Sequence, residues 1–188
     1  MSEAAASRLV ILDRDGVINE DSDDYIRSID DWRPIPGSIE AIAQLSRAGF
    51  KVAVATNQSG IGRGYFDEYA LAQMHELMHT LVEAAGGRID ALAYCPHLPT
   101  DDCTCRKPRP GLLDQLSEAL QLPLAGAWLV GDTAKDMEVA LSRQCRPILV
   151  LSGKGARTAA TLDDFLRQHC VVLPDLGAAA TYILSASP

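Results

Sequence analysis

The chain has 188 residues, a little over one domain on a prior of about 150 residues per domain, with 47% apolar and 22% charged side chains. That balance excludes a disordered or fibrous chain, and no apolar run is long enough for a membrane-spanning helix. A net charge of −8 argues against nucleic acid or an anionic membrane as a partner.

Residues 1–8 lack the basic and long apolar blocks of a signal peptide, so a cytoplasmic location is expected. The first apolar run covers residues 9–12 and ends in Asp13-Arg14-Asp15-Gly16. Ile39, Ile42 and Ala43 then keep a helical spacing up to Gly49, a plausible stop. A second run at residues 52–55 ends in Thr56-Asn57-Gln58-Ser59-Gly60. Leu71, Met74, Met78, Leu81, Val82 and Ala85 form one apolar stripe of a longer helix. The third run, residues 91–94, leads into Cys95-Pro96-His97, and Leu113, Leu116 and Leu120 predict the next helix. Runs at 127–130 and 148–151 follow, the former ending in Gly131-Asp132, and a weaker one lies at 171–173. Leu162, Phe165 and Leu166 suggest a helix, and residues 176–184 another, although the segment after Ser152 is less legible.

Short, continuously apolar runs fit strands buried on both faces. Their alternation with helices predicts an α/β fold: an open, mostly parallel, Rossmann-like sheet with right-handed crossovers and helices on both faces. One domain over residues 1–188 is expected. The stretches between Asp15, Asn57 and Lys107 are too short for a large cap domain.

In such sheets ligands bind beyond the carboxyl ends of the strands. Four strand ends here would deliver Asp13 and Asp15, Thr56 and Asn57, Cys95 and His97, and Asp132 to one rim. Two carboxylates beside a phosphate suit Mg²⁺, with Asp13, Asp15 and Asp132 as its ligands. A carboxylate can also attack phosphorus, dividing hydrolysis into two easier steps. Phosphoryl transfer demands charge neutralisation as well, which Lys107 offers, and donors, which Thr56, Asn57, Gln58 and Ser59 offer. Singly these are ordinary: an Asp-x-Asp is a common turn and a Thr-Asn pair a common helix cap. The ordered set, each member closing an apolar run, is the signal.

These motifs, spanning residues 9–155, resemble the haloacid dehalogenase superfamily of phosphatases. The resemblance implies that Asp13 is the nucleophile and Asp15 the general acid/base. It also implies that Thr56 and Lys107 hold the phosphoryl group, that Asp132 binds Mg²⁺ and that Asp136 supports them. An ordinary Asp titrates near 3.9, so burial, or a proton brought by the substrate, must supply the acid form of Asp15.

Cys95, His97, Cys103 and Cys105 have the spacing of a tetrahedral Cys₃His zinc site, the alternative being two disulfides. All four positions would be protein ligands, so this Zn²⁺ would be structural and would steady the adjoining Arg106-Lys107. Cys145 and Cys170 read as buried thiols. His75-Glu76-Leu77-Met78-His79 matches the zinc-peptidase pattern, but a solvated helix face accounts for it and for His169 as a surface or capping residue.

The zinc loop and the acid-rich residues 20–31 are expected to roof the site, with six acids and one arginine in the latter. Asp21, Asp24 and Tyr25 are placed near substrate, with Arg14. Arg63 and Arg106 are expected to clamp a second phosphate. The zinc loop and residues 56–66 resemble the heptose bisphosphate phosphatases of nucleotide-heptose and lipopolysaccharide synthesis. Their histidinol-phosphate phosphatase relatives share the zinc loop and Asp-x-Asp. The resemblance implies a small sugar bisphosphate as substrate. A phospho-accepting receiver is the alternative of another class. With no strong exposed apolar stripe, a monomer is expected.

Overall fold

The computed structural model describes residues 8–186; the leader reading of the N-terminal residues falls almost wholly outside them. Six strands form one sheet: β1 (Leu9–Leu12), β2 (Lys51–Asn57), β3 (Ala91–Cys95), β4 (Trp128–Gly131), β5 (Arg146–Val150) and β6 (Val171–Leu173). Every pairing is parallel and the order is β3-β2-β1-β4-β5-β6. The chain therefore winds outward from β1 in one direction, returns to β4 beside it, and winds outward in the other. Between β1 and β4 the direction reverses, and such a point opens a crevice at the carboxyl ends of the strands.

Alternation along the strands feeds two cores. Val10 and Leu12 join the cluster on one face, and Leu9 and Ile11 the cluster on the other. The first face is covered by α1 (Ser38–Arg47), α3 (Glu68–Ala84) and α8 (Leu176–Ser185), through Ile42, Leu45, Met74, Met78 and Ile183. The second is covered by α4 (Gly111–Leu120), α5 (Ala134–Ser142) and α7 (Asp164–His169), through Leu112, Leu116, Met137, Val139 and Leu166. The expected α/β architecture with helices on both faces is what forms.

Two short helices were not foreseen, α2 (Ser59–Gly62) and α6 (Gly155–Thr161). The helix expected from Leu162, Phe165 and Leu166 is α7, and Leu162 itself lies before it in extended backbone (ψ 133°). Among the described residues no helix is long and apolar enough to cross a membrane.

Candidate active site

The C-terminal ends of β1, β2 and β4, with the loops after β3 and β5, surround a cavity of about 250 Å³. Asp13, Asp15, Thr56, Asn57, Gln58, Ser59, Arg106, Lys107 and Asp132 all line it, together with Asp21 and Tyr25 from the acidic loop. The sequence reading thus brought most of its site to one place. Close approach of the loops depends on two glycines. Gly16 (φ 82°) and Gly153 (φ 57°) pack so tightly that a Cβ on Gly153 would lie 2.3 Å from the Gly16 Cα.

Asp13 leaves β1 with its backbone N–H bonded to Val130 of β4, and its Oδ1 accepts from the Arg14 N–H at 2.8 Å. Lys107, 3% exposed, reaches Asp13 Oδ1 at 3.1 Å, Asp136 Oδ1 at 2.7 Å and the Ala55 carbonyl at 2.7 Å. Asp136 serves two elements at once. Its Oδ2 accepts from Thr133 N–H and Oγ1–H at 3.1 and 2.7 Å, capping α5, while Oδ1 holds Lys107.

The carboxylates of Asp13, Asp132 and Asp136 offer oxygens within 4.8 Å of one another. Burial first, then Asp136 and Asp15 against the pull of Lys107, pushes Asp13 up to about 7. Burial, then Asp13 and Asp136, pushes Asp132 up to about 8. Hard oxygen donors that repel one another in a buried site fit a divalent cation, which would relieve the repulsion. Asp15 differs from expectation: its carboxylate is not part of this group. Oδ1 accepts from Arg14 Nε and Nη2 at 3.0 and 2.7 Å and from Asn19 Nδ2 at 2.9 Å, and Oδ2 accepts from Gln58 Nε2 at 2.8 Å. Burial alone would raise its pKa, but Arg14 and these hydrogen bonds outweigh burial and hold it below the ordinary value. Burial therefore does not supply the acid form.

Cys95, His97, Cys103 and Cys105 also converge. Neighbouring Sγ atoms lie 3.7 and 3.6 Å apart, and His97 Nδ1 lies 3.5 and 3.3 Å from Cys95 and Cys105. A tetrahedron with Zn–S of about 2.3 Å and Zn–N of about 2.0 Å has S···S and S···N edges of about 3.8 and 3.5 Å, so the donor set fits zinc. Burial, then the Cys105 thiol, pushes Cys95 up to about 12, so a full set of thiolates needs a cation at its centre. All described cysteines are free thiols. Cys145 is buried as expected, and Cys170 half-buried.

Several substrate contacts fall elsewhere. Arg14 is 0% exposed and outside the cavity lining, because its guanidinium is spent on Asp15. Arg63 is exposed and also outside it, and Asp24 faces a neighbouring groove instead. His75 is not on a solvated helix face: it is 9% exposed, with Nε2 3.4 Å from Arg14 Nη1. A nitrogen facing a guanidinium is no metal ligand, so the peptidase pattern is accidental. Burial, then Arg14, pushes His75 down to about 3. His169 stays at the surface, against the Phe165 carbonyl. The sequence reading missed Lys154, whose Nζ pairs with Asp21 at 2.8 Å and whose N–H donates to Asp132 Oδ2 at 2.8 Å. It follows β5 at the same rim, so the strand-end rule applied to residues 152–154 would have found it.

The HAD-hydrolase-like family model matches residues 104–179. The D-glycero-beta-D-manno-heptose-1,7-bisphosphate 7-phosphatase of Pseudomonas aeruginosa is 53% identical over 94% of this chain and 97% of its own. The chain belongs to this phosphatase family. The heptose-bisphosphate phosphatase of Pseudomonas putida is 49% identical over 94% of this chain and 99% of its own. The crystal structure of the D,D-heptose 1,7-bisphosphate phosphatase of B. bronchiseptica, complexed with magnesium and phosphate, matches with a TM-score of 0.89 and 43% identity, over 94% of this chain and 98% of that one. For a heptose-bisphosphate phosphatase family member the lining is apt: it combines Arg106, Lys107, Lys135 and Lys154 with six aspartates and Thr56.

Proposed function

We propose that this chain removes the 7-phosphate of D-glycero-β-D-manno-heptose 1,7-bisphosphate through a phospho-aspartate on Asp13, as a step of nucleotide-heptose synthesis for lipopolysaccharide. What carries the reading is Asp13, at the rim of β1, with the Lys107 ammonium 3.1 Å away, in a chain 53% identical to a phosphatase of that name. It would act as a monomer of one domain in the cytoplasm, with Mg²⁺ at the aspartates and Zn²⁺ at Cys95, His97, Cys103 and Cys105.

An oxygen of Asp13 attacks phosphorus, the P–O bond to C7 of the sugar breaks, and an acyl phosphate forms. Lys107 and the Thr56 hydroxyl hold the phosphoryl oxygens as their charge develops. Water then attacks phosphorus, Asp15 takes its proton, and the bond to Asp13 breaks to release phosphate and restore the carboxylate. Asp15 is already ionised in the free protein, as a base must be, so the proton for the sugar alkoxide enters with the substrate. Asp13 and Asp132 would hold Mg²⁺, which when bound supplies charge to the phosphoryl group. Arg106, which lines the cavity, would bind the second phosphate.

Phosphate release over a panel of heptose 1,7-bisphosphate, fructose 1,6-bisphosphate and histidinol phosphate tests the substrate. Heptose bisphosphate should give the highest kcat/KM, and preference for histidinol phosphate would refute the reading. Asp13→Asn should abolish turnover, whereas Asp15→Asn should slow it by about 10²–10⁴ and let phospho-enzyme accumulate. Activity retained in Asp13→Asn would defeat the covalent route.

A further inference from the structure

The phosphatase reading leaves one buried pair unused: Arg14, between the two functional aspartates, and His75, from the middle of α3. Neither lines the cavity, yet Arg14 is 0% and His75 9% exposed. A guanidinium has five donors and no acceptor. Its contact with His75 Nε2 at 3.4 Å therefore requires that nitrogen to be unprotonated, so His75 is the neutral Nδ1–H tautomer. With Nη1 held there, the plane of the guanidinium is set, and Nε and Nη2 both fall on Asp15 Oδ1. Asn19 adds a third donor to the same oxygen. Oδ1 is thereby filled, and Oδ2, with Gln58 alone as donor, is left to take a proton.

We propose that His75 and Arg14 are positioning residues: His75 orients the Arg14 guanidinium, and Arg14 fixes the Asp15 carboxylate so that Oδ2 is the oxygen that accepts the proton of the attacking water. The proposal rests on the phospho-aspartate reading above. A buried arginine that only stabilised the loop would affect both halves of the reaction alike. A clamp on the base affects the half that uses it.

The test uses the intact chain with Mg²⁺ and 4-nitrophenyl phosphate, whose leaving group needs no proton, so Asp15 serves only hydrolysis of the phospho-enzyme. Slowing the second of two consecutive steps lowers kcat and KM together and leaves kcat/KM in place. His75→Leu, which cannot accept from Arg14, should lower kcat about tenfold, with KM falling in proportion and kcat/KM within about twofold of the parent chain. Acid-quenched samples should hold more phospho-enzyme at steady state. His75→Gln, whose amide oxygen can accept, should recover most of the rate. A kcat/KM that falls as far as kcat, an unchanged kcat, or a His75→Gln as slow as His75→Leu overturns the proposal. Should His75→Leu not fold, Arg14→Met against Arg14→Lys carries the same comparison, with Arg14→Met expected to lower kcat and KM together. A parent chain that turns over 4-nitrophenyl phosphate but not heptose bisphosphate would sink the substrate alone and leave the clamp to be judged by these variants.

Discussion

The Lys107 ammonium lies between two carboxylates that would otherwise repel each other, with Asp136 at 2.7 Å and Asp13 at 3.1 Å. Burial alone would lower the pKa of an amine, but Asp13 and Asp136 outweigh it and hold Lys107 above its ordinary value. It therefore stays charged at every working pH, and the Ala55 carbonyl at 2.7 Å keeps it from swinging away. A fixed cation is what developing charge on phosphoryl oxygens needs, because no reorganisation is left to do at the moment of reaction. Lys107→Met should lower kcat by about 10²–10³ in steady-state assays. The same change strands Asp136 beside Asp13 with no cation between them. Breaking a buried pair from one side costs about 3–5 kcal/mol, so the urea midpoint should fall as well. A variant that lost activity with an unchanged midpoint would mean that the carboxylates had found another partner.

At the scale of the element, Lys107 sits in the irregular segment between β3 and α4, and two devices hold that segment. On one side stands the Cys₃His cluster. On the other, the Asn57 side chain at the end of β2 donates to the Lys107 carbonyl and accepts from its N–H, both at 3.1 Å. Chelation removes only the first device, so activity should fall in part and return with added Zn²⁺. Asn57→Ala removes only the second and should cost about tenfold. Because both act on one backbone, chelating the Asn57→Ala chain should cost more than the product of the two losses. A purely multiplicative loss, read from rates before and after chelation, would show the anchors to be independent. Asn57 was legible as a site residue because it closes an apolar run, but the sequence placed it on substrate, since nothing in it tells which loop lies opposite. Strand β2 likewise runs on through polar Thr56 and Asn57, which pair with Tyr94 and Cys95 of β3. Helix α6 went unseen because its sequence is small and polar, with only Gly155 buried. Arg14 and His75 were misjudged for a related reason. An arginine between two aspartates looks like a substrate ligand until a helix from elsewhere in the chain buries it.

For the molecule as a whole, the strand order decides where charge accumulates. Asp13 follows β1 and Asp132 follows β4, neighbours paired through Leu12 and Val130, so the sheet and not a flexible loop holds the two carboxylates together. This arrangement opposes folding when no cation is bound. Both groups titrate near 3.8 when unfolded, against about 7 for Asp13 and about 8 for Asp132 in the fold. From about pH 4 upward the folded chain keeps protons that the unfolded chain has released, so the contribution of these two groups falls as pH rises and is gone above their folded values. Asp15 acts in the opposite sense, but its contribution disappears only below that window, as pH falls through its lowered pKa. A divalent cation binds the ionised carboxylates and not in their acid form, so its stabilisation grows with pH. The metal-free protein should therefore melt lower at about pH 8.5 than at about pH 6, and saturating Mg²⁺ should raise Tm more at the higher pH. Asp132→Asn, which removes one charge without changing shape, should flatten both dependences. A Tm increment from Mg²⁺ equal at the two pH values would mean that the aspartates at the β1–β4 junction are not where the cation binds.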